Sequence, residues 1–312
     1  MATTQETIRP PRRLDDVPGW FPVLDQMLFD WFLDRQEGSG VGGDLLEVGV
    51  YMGKSAIFTG RHRRPGETYT VCDLFEGDAP DAANRAESTK SYARLTRQLF
   101  EENYLAFHDE LPRVLQGPSS LVHDEVAPDS CRFVHIDASH LYEHVHDDIG
   151  TARDLLLPDG IVVLDDFRSE HTPGVSIATW EAVLNRGLSP LCISTQKLYG
   201  TWGDPRPVQE ALIAMARGRD DCHLSVQEAA GHRIVRLKSK GMRGPDFPES
   251  RYASTAGEPE APEAVAPAAA GTGTGTGTGT AGNGRERRGR VRRVAVDLLP
   301  PVLTRALRRA MH

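Results

Sequence analysis

The residues best placed for chemistry in this chain are Asp137, His140, Asp165 and Asp166. They stand in two short runs, Phe133-Val-His-Ile-Asp-Ala-Ser-His140 and Ile161-Val-Val-Leu-Asp-Asp-Phe167, each an apolar stretch that ends in carboxylates. Such a run, bounded by polar residues, reads as a buried strand, and residues 141–157 between them have helical spacing closed by Pro158-Asp-Gly. A strand-helix-strand unit brings both strand ends to one carboxyl edge, where open α/β sheets bind ligands. Three carboxylates and an imidazole then share a crevice. Oxygen donors stand there beside a group whose ordinary pKa of about 6.5 lets it exchange a proton near neutrality.

The elements that must position them begin earlier, at Asp44-Leu-Leu-Glu-Val-Gly-Val-Tyr-Met-Gly53, followed by Lys54-Ser-Ala-Ile-Phe and then Thr68-Tyr-Thr-Val-Cys-Asp73. A strand, a glycine turn, a helix and a second strand ending in an acid are the parts of a nucleotide-binding half. The spacing from Glu47 through Gly49 to Gly53 is ExGxxxG, not the GxGxxG that lets a backbone approach a pyrophosphate, so a ligand without phosphates fits better. Alone, the pattern serves equally as a strand-to-helix turn, and Asp73 as an ordinary strand-end acid. The succession of turn, acid, and the two carboxylate-ended strands is what selects a function.

In that succession the chain resembles the class I S-adenosylmethionine-dependent methyltransferases. The resemblance implies an α/β fold, a Rossmann-like sheet that is mostly parallel with helices on both faces. It assigns Glu47, Gly49, Gly53 and Asp73 to the cofactor, Asp73 on the ribose hydroxyls, and puts Ser119 and Ser120 near the adenine at the end of the third strand. From Ile136 to Phe167 the sequence is similar to the metal-dependent sugar and natural-product O-methyltransferases of the macrocin and mycinamicin type, and to the mycobacterial-type enzymes that methylate mannosides. This implies Mg2+ on Asp137, Asp165 and Asp166, with His140 as general base. Other members carry an acid where Ser139 stands, so the base role falls to His140. The resemblance covers residues 20–240.

The chemistry accounts for these residue types. A sulfonium methyl is already electrophilic, whereas an alcohol is a poor nucleophile until its proton is leaving. A magnesium ion with oxygen ligands and open positions would lower the pKa of a bound hydroxyl, and a histidine would accept the proton. The acceptor expected is a hydroxyl of a small-molecule sugar, glycoside, oligosaccharide or related metabolite.

Other features admit plainer readings. Leu24, Met27, Leu28, Trp31 and Phe32 form a helical stripe that reads as core-facing, with a cofactor cap or a dimer contact as the alternative. His144 and His146 read as helix-surface residues, Asp147 and Asp148 as solvated or structural, and Tyr142 as packing. Residues 77–95 form a long polar connection at the ligand edge and are expected to act as a lid. The loop at 168–174 and the segment 199–203 are expected to border the acceptor pocket, with Trp202 as a candidate sugar-stacking residue. After Phe167 the pattern predicts a helix over 173–185, a strand over 191–198, a helix over 208–216 and two strands near His223 and Ile234.

The chain has 312 residues, 39% of them hydrophobic, and a formal net charge of −8, enough for one α/β domain. Its four cysteines lack metal-like spacing and read as reduced, packed thiols. The first residues lack the pattern of a secretory signal, which points to the cytoplasm. The expected organisation is a flexible start (1–18), a methyltransferase domain (19–240), a Gly/Pro/Ala/Thr-rich disordered linker (241–283) with a GT repeat, and a basic amphipathic tail (284–312). The tail holds nine arginines and two acids, which leaves −15 on the rest. It suits an anionic membrane surface, an acidic partner or the acidic body itself, and a solvated, quiet tail is the plain alternative. Nucleic acid is not expected, and a homo-oligomer is. The competing reading of the whole chain is a catalytically silent methyltransferase-fold scaffold that docks through this tail.

Overall fold

The computed structural model describes residues 9–77 and 95–253. Strand β1 (Asp44–Val48) lies at the centre of a parallel set with β2 (Tyr69–Asp73), β3 (Arg113–Gln116), β4 (Cys131–Ile136) and β5 (Leu156–Leu164). Strands β6 (Ser189–Ile193), β7 (Leu198–Thr201), β8 (Cys222–Ala229) and β9 (His232–Ser239) complete the sheet, in the order β3-β2-β1-β4-β5-β7-β6-β9-β8. β7 runs antiparallel to both its neighbours. The mostly parallel sheet is the one expected. The single strand expected over 191–198 is instead two, because the turn at Ser194–Lys197 reverses the chain; Ser194 N–H bonds Lys197 O at 2.9 Å.

Both faces of the sheet are covered, as the near-continuous apolar strands require. Helix α1 (Val23–Gly38) lies on one face, where Leu24, Leu28, Phe29 and Phe32 are buried against Phe133 and Tyr199. Helices α2 (Lys54–Gly60) and α3 (Arg97–Leu105) follow in the chain, α3 started by Thr96, whose side chain accepts from Leu99 N–H at 3.2 Å. Then come α4 (Val122–Glu125), α5 (Tyr142–Leu155), α6 (Pro173–Asn185) and α7 (Arg206–Arg217). α5 and α6 pack on the opposite face through Val145, Ile149, Val175 and Ala178.

The body extends past both sequence-derived limits. Leu14 and Val17 are buried in the expected flexible start. At the other end Phe247 stacks on Phe58 at 5.4 Å, and Ser250 donates to Pro11 O at 2.6 Å. All of the expected lid (77–95) but its two end residues, the remainder of the linker and the basic tail lie outside the described residues. Among the described residues no helix is long and apolar enough to cross a membrane.

Candidate active site

Sheet register builds the site. Val48 pairs with Cys72 on one side and Ile136 on the other, and Ile136 pairs with Leu164, so four strands come level near their carboxyl ends. Their next residues, Gly49, Asp73, Asp137 and Asp165, form a row along the carboxyl edge. That row opens into a crevice of about 1430 Å³, which Ser119, Ser120, His140, Asp166 and His171 also line. This exceeds the 300–1,000 Å³ or so of a single small-ligand site and leaves room for two molecules side by side.

At the turn after β1, Gly49 has φ +85°, and a Cβ there would stand 2.1 Å from the carbonyl oxygen of Asp137. Only glycine lets the β1 and β4 ends approach so closely. Gly53 begins α2 with φ +93°. Asp73 clamps this turn: Oδ2 accepts from Val50 N–H at 2.8 Å and Tyr51 N–H at 3.0 Å, and Oδ1 accepts from Phe75 N–H at 2.8 Å. A carboxylate has about four acceptor sites, so Asp73 keeps one toward the crevice. Burial raises its carboxyl pKa against these backbone bonds.

Glu47 is placed elsewhere. It is 0% exposed beneath the turn, where it accepts from the Tyr69 hydroxyl at 2.6 Å and from Ser55 Oγ, and it does not line the crevice. It supports the turn from below and has no surface to offer a ligand directly.

The predicted catalytic residues share the crevice but divide into two groups. His140 Nε2 lies 3.1 Å from Asp166 Oδ2, and Ser169 Oγ donates to Asp166 Oδ1 at 2.6 Å. Asp166 adopts φ +51°, which directs its side chain to these partners. Burial opposes its ionisation, yet the contacts with His140 and Ser169 outweigh that and hold its carboxyl below the usual range. Asp165 belongs to the second group: Oδ1 accepts from Asp166 N–H at 2.7 Å, and Oδ2 accepts from the ammonium of Lys197. Asp137 is raised by burial, while Lys197 and His135 pull the other way.

Sequence reasoning passed over several of these residues. Lys197 and His135, 1% and 0% exposed, stand beside Asp165 on the α1 face of the sheet. Their only sequence signal was a charged and a titratable residue bordering or interrupting apolar strands. Asp148, read as solvated or structural, is 7% exposed, lines the crevice and leaves Oδ2 without a partner; burial lifts its pKa to about 6, against a hydrogen bond from Ser119. His144 also lines the crevice, 3.0 Å from Ser139 Oγ. The loop at 168–174 borders the crevice through Ser169, His171, Pro173 and Gly174, as expected. Segment 199–203 does not: Tyr199 is buried with its hydroxyl on Asp25 at 2.7 Å, and Trp202 donates to Arg186 O at 3.1 Å. A tryptophan at the crevice is instead Trp20, 75% exposed and stacked 5.9 Å from Tyr51.

Residues 46–167 match a family model described as a methyltransferase domain. That segment holds the glycine turn, Asp73 and the carboxylates of β4 and β5, so over these residues, on the observed mostly parallel sheet, the chain is similar to a methyltransferase domain. Among solved structures it is similar to the O-methyltransferase NovP, at 21% identity over 57% of this chain and 79% of that one, with a TM-score of 0.48. It is similar also to the calicheamicin methyltransferase CalS11, at 22% identity over 58% and 79%, TM-score 0.45. A third is the mycinamycin-pathway methyltransferase MycE, in complex with Mg, SAH and mycinamycin VI, at 15% identity over 63% and 56%, TM-score 0.39. These are likenesses of fold. No curated protein sequence matches the chain.

Proposed function

We propose that the chain transfers the methyl group of S-adenosylmethionine to a hydroxyl of a sugar, glycoside or related metabolite, with Mg2+ held by Asp137, Asp165 and Asp166. The observation that carries this is the His140–Asp166 contact in the same crevice as the glycine turn. A base oriented by a carboxylate beside a nucleotide-type turn is what oxygen methylation needs.

The cofactor fits the residues present. Gly49 lines the crevice without a side chain, whereas Gly53 lies off it and makes room for Phe100 beneath the turn; Asp73 retains one acceptor site for a ribose hydroxyl, and Ser119 also borders the crevice. Magnesium fits in donor chemistry: three carboxylates line one crevice, and hard oxygen ligands are what this ion takes. Bound there, it would lower the pKa of an acceptor hydroxyl.

The chain's own residues supply the rest. Asp166 faces Nε2 of His140 at 3.1 Å and orients the imidazole as general base for the acceptor hydroxyl. Ser169 keeps Asp166 in place. Trp20 and Tyr51 offer an apolar face at the crevice for a ring of the acceptor.

Titration calorimetry with S-adenosylmethionine, followed by methyl transfer to a panel of glycosides with and without chelator, tests the reading. Cofactor binding with turnover lost on chelation supports it. Full turnover in chelator removes magnesium from the proposal, and absence of cofactor binding removes the activity.

A further inference from the structure

Lys197 ends the tight turn between β6 and β7, fixed there by its N–H on Ser194 Oγ at 3.0 Å and its carbonyl on Ser194 N–H. Its ammonium donates to Asp165 Oδ2 and lies 3.3 Å from His135 Nε2. An ammonium only donates, so it uses Nε2 as the acceptor and leaves the imidazole proton on Nδ1. Nδ1 lies 3.2 Å from Glu47 Oε1, though without a well-formed hydrogen bond. Glu47 in turn holds Tyr69 and Ser55 beneath the cofactor turn. Buried polar groups therefore line up below the crevice from the β6–β7 turn across β5, β4 and β1 to β2, hydrogen-bonded on either side of the His135–Glu47 contact.

Donor atoms of His135, Asp137 and Asp165 lie within 4.8 Å of one another, a grouping able to gather a divalent ion. The ammonium of Lys197 stands against two of those three residues. We propose that Lys197 is a built-in cation of the active site, a positioning residue that holds Asp165 and competes with a divalent ion for its carboxylate, so that the native site binds such ions weakly. The inference rests on the magnesium reading for its use in the enzyme.

The charges favour this role. Separating a buried ammonium from its carboxylate leaves both uncompensated, so Lys197 stays when another cation approaches. A doubly charged ion reaching for Asp165 meets a fixed positive charge already bonded to the same group, in surroundings that screen poorly. The remaining carboxylates, Asp137 and Asp166, still attract it, and the outcome is weakened binding.

The test is titration with MnCl2 alone, read as free Mn2+ by electron paramagnetic resonance. Lys197→Met and the hydrogen-bonding Lys197→Gln should each bind Mn2+ about tenfold or more tightly than the native chain, and Lys197→Arg should stay native-like. Adding Asp165→Asn to Lys197→Met should remove the gain, with thermal melts confirming folded protein throughout. Gain in the neutral variants with no detectable native binding supports the role of Lys197 and overturns the magnesium reading. Tight native binding unchanged in both neutral variants overturns the role of Lys197 and leaves that reading standing. No binding in any of the proteins overturns both.

Discussion

His140 and Asp166 meet at 3.1 Å through Nε2 and Oδ2, both about one-quarter exposed at the crevice. Removing the imidazole takes away the proton acceptor, so His140→Ala should lower kcat by about 10²–10⁴-fold while S-adenosylmethionine binds as before. Stopped-time methyl-transfer assays with parallel calorimetry check this. A rise in acceptor KM with kcat kept would reassign His140 to substrate binding.

Asp73 serves the turn as well as the cofactor. Asp73→Asn keeps its size but loses an acceptor oxygen that two backbone N–H groups share. Cofactor affinity should fall tenfold or more, and stability by about 1–3 kcal/mol, since buried donors lose their partner. Calorimetric titration and chemical denaturation measure the two effects separately. A variant as stable as the native chain would show that the clamp is not structural.

Asp148 should destabilise the fold at neutral pH. Burial lifts its pKa from 3.8 to about 6, so its favourable contribution is complete below about pH 4 and is lost as pH rises through 6. Asp148→Asn should then gain about 1–3 kcal/mol at pH 7.5 and little at pH 4. Urea denaturation at both values tests the difference, and equal effects at the two would refute it.

Glu67 behaves oppositely. It pairs bidentately with Arg132, which is 0% exposed, at 3.0 Å for each bond. Burial alone would raise its pKa, but Arg132 and Arg64 bring it down from 4.5 to about 2. Its contribution is present above pH 4.5 and fades as pH falls toward 2. Allowing for solvent screening it amounts to about 1–2 kcal/mol. Glu67→Gln costs more, about 3–5 kcal/mol, because a buried guanidinium loses its counter-charge. Thermal melts from pH 7 to pH 3 should show the native chain's advantage over the variant narrowing with acid.

Trp20 offers an apolar face at the crevice, stacked with Tyr51. Trp20→Ala should raise the KM of a ring-containing acceptor several-fold and leave cofactor affinity unchanged. Equal KM values in native and variant enzymes would place the acceptor elsewhere.

The amino-acid sequence alone determined the succession of the parallel strands along the chain and the residues that end them. An apolar run stopping in Asp137 or in Asp165-Asp166, and a turn needing Gly49 and Gly53, are local patterns, and local patterns follow from burial and backbone sterics. The helix over 173–185 was equally legible, with its proline at the first position. Tertiary structure decided which way those side chains turn and what they meet. Lys197 comes from a turn 32 residues beyond Asp165, and its pairing exists only because β7 doubles back antiparallel beside β5. Glu47 and Asp73 both end or interrupt apolar strands, yet one is sealed under the turn and the other keeps a side open to the crevice. Strand periodicity records the face a residue occupies, whereas the partner of a buried charge is set by whatever chain, however distant, the sheet brings across that face.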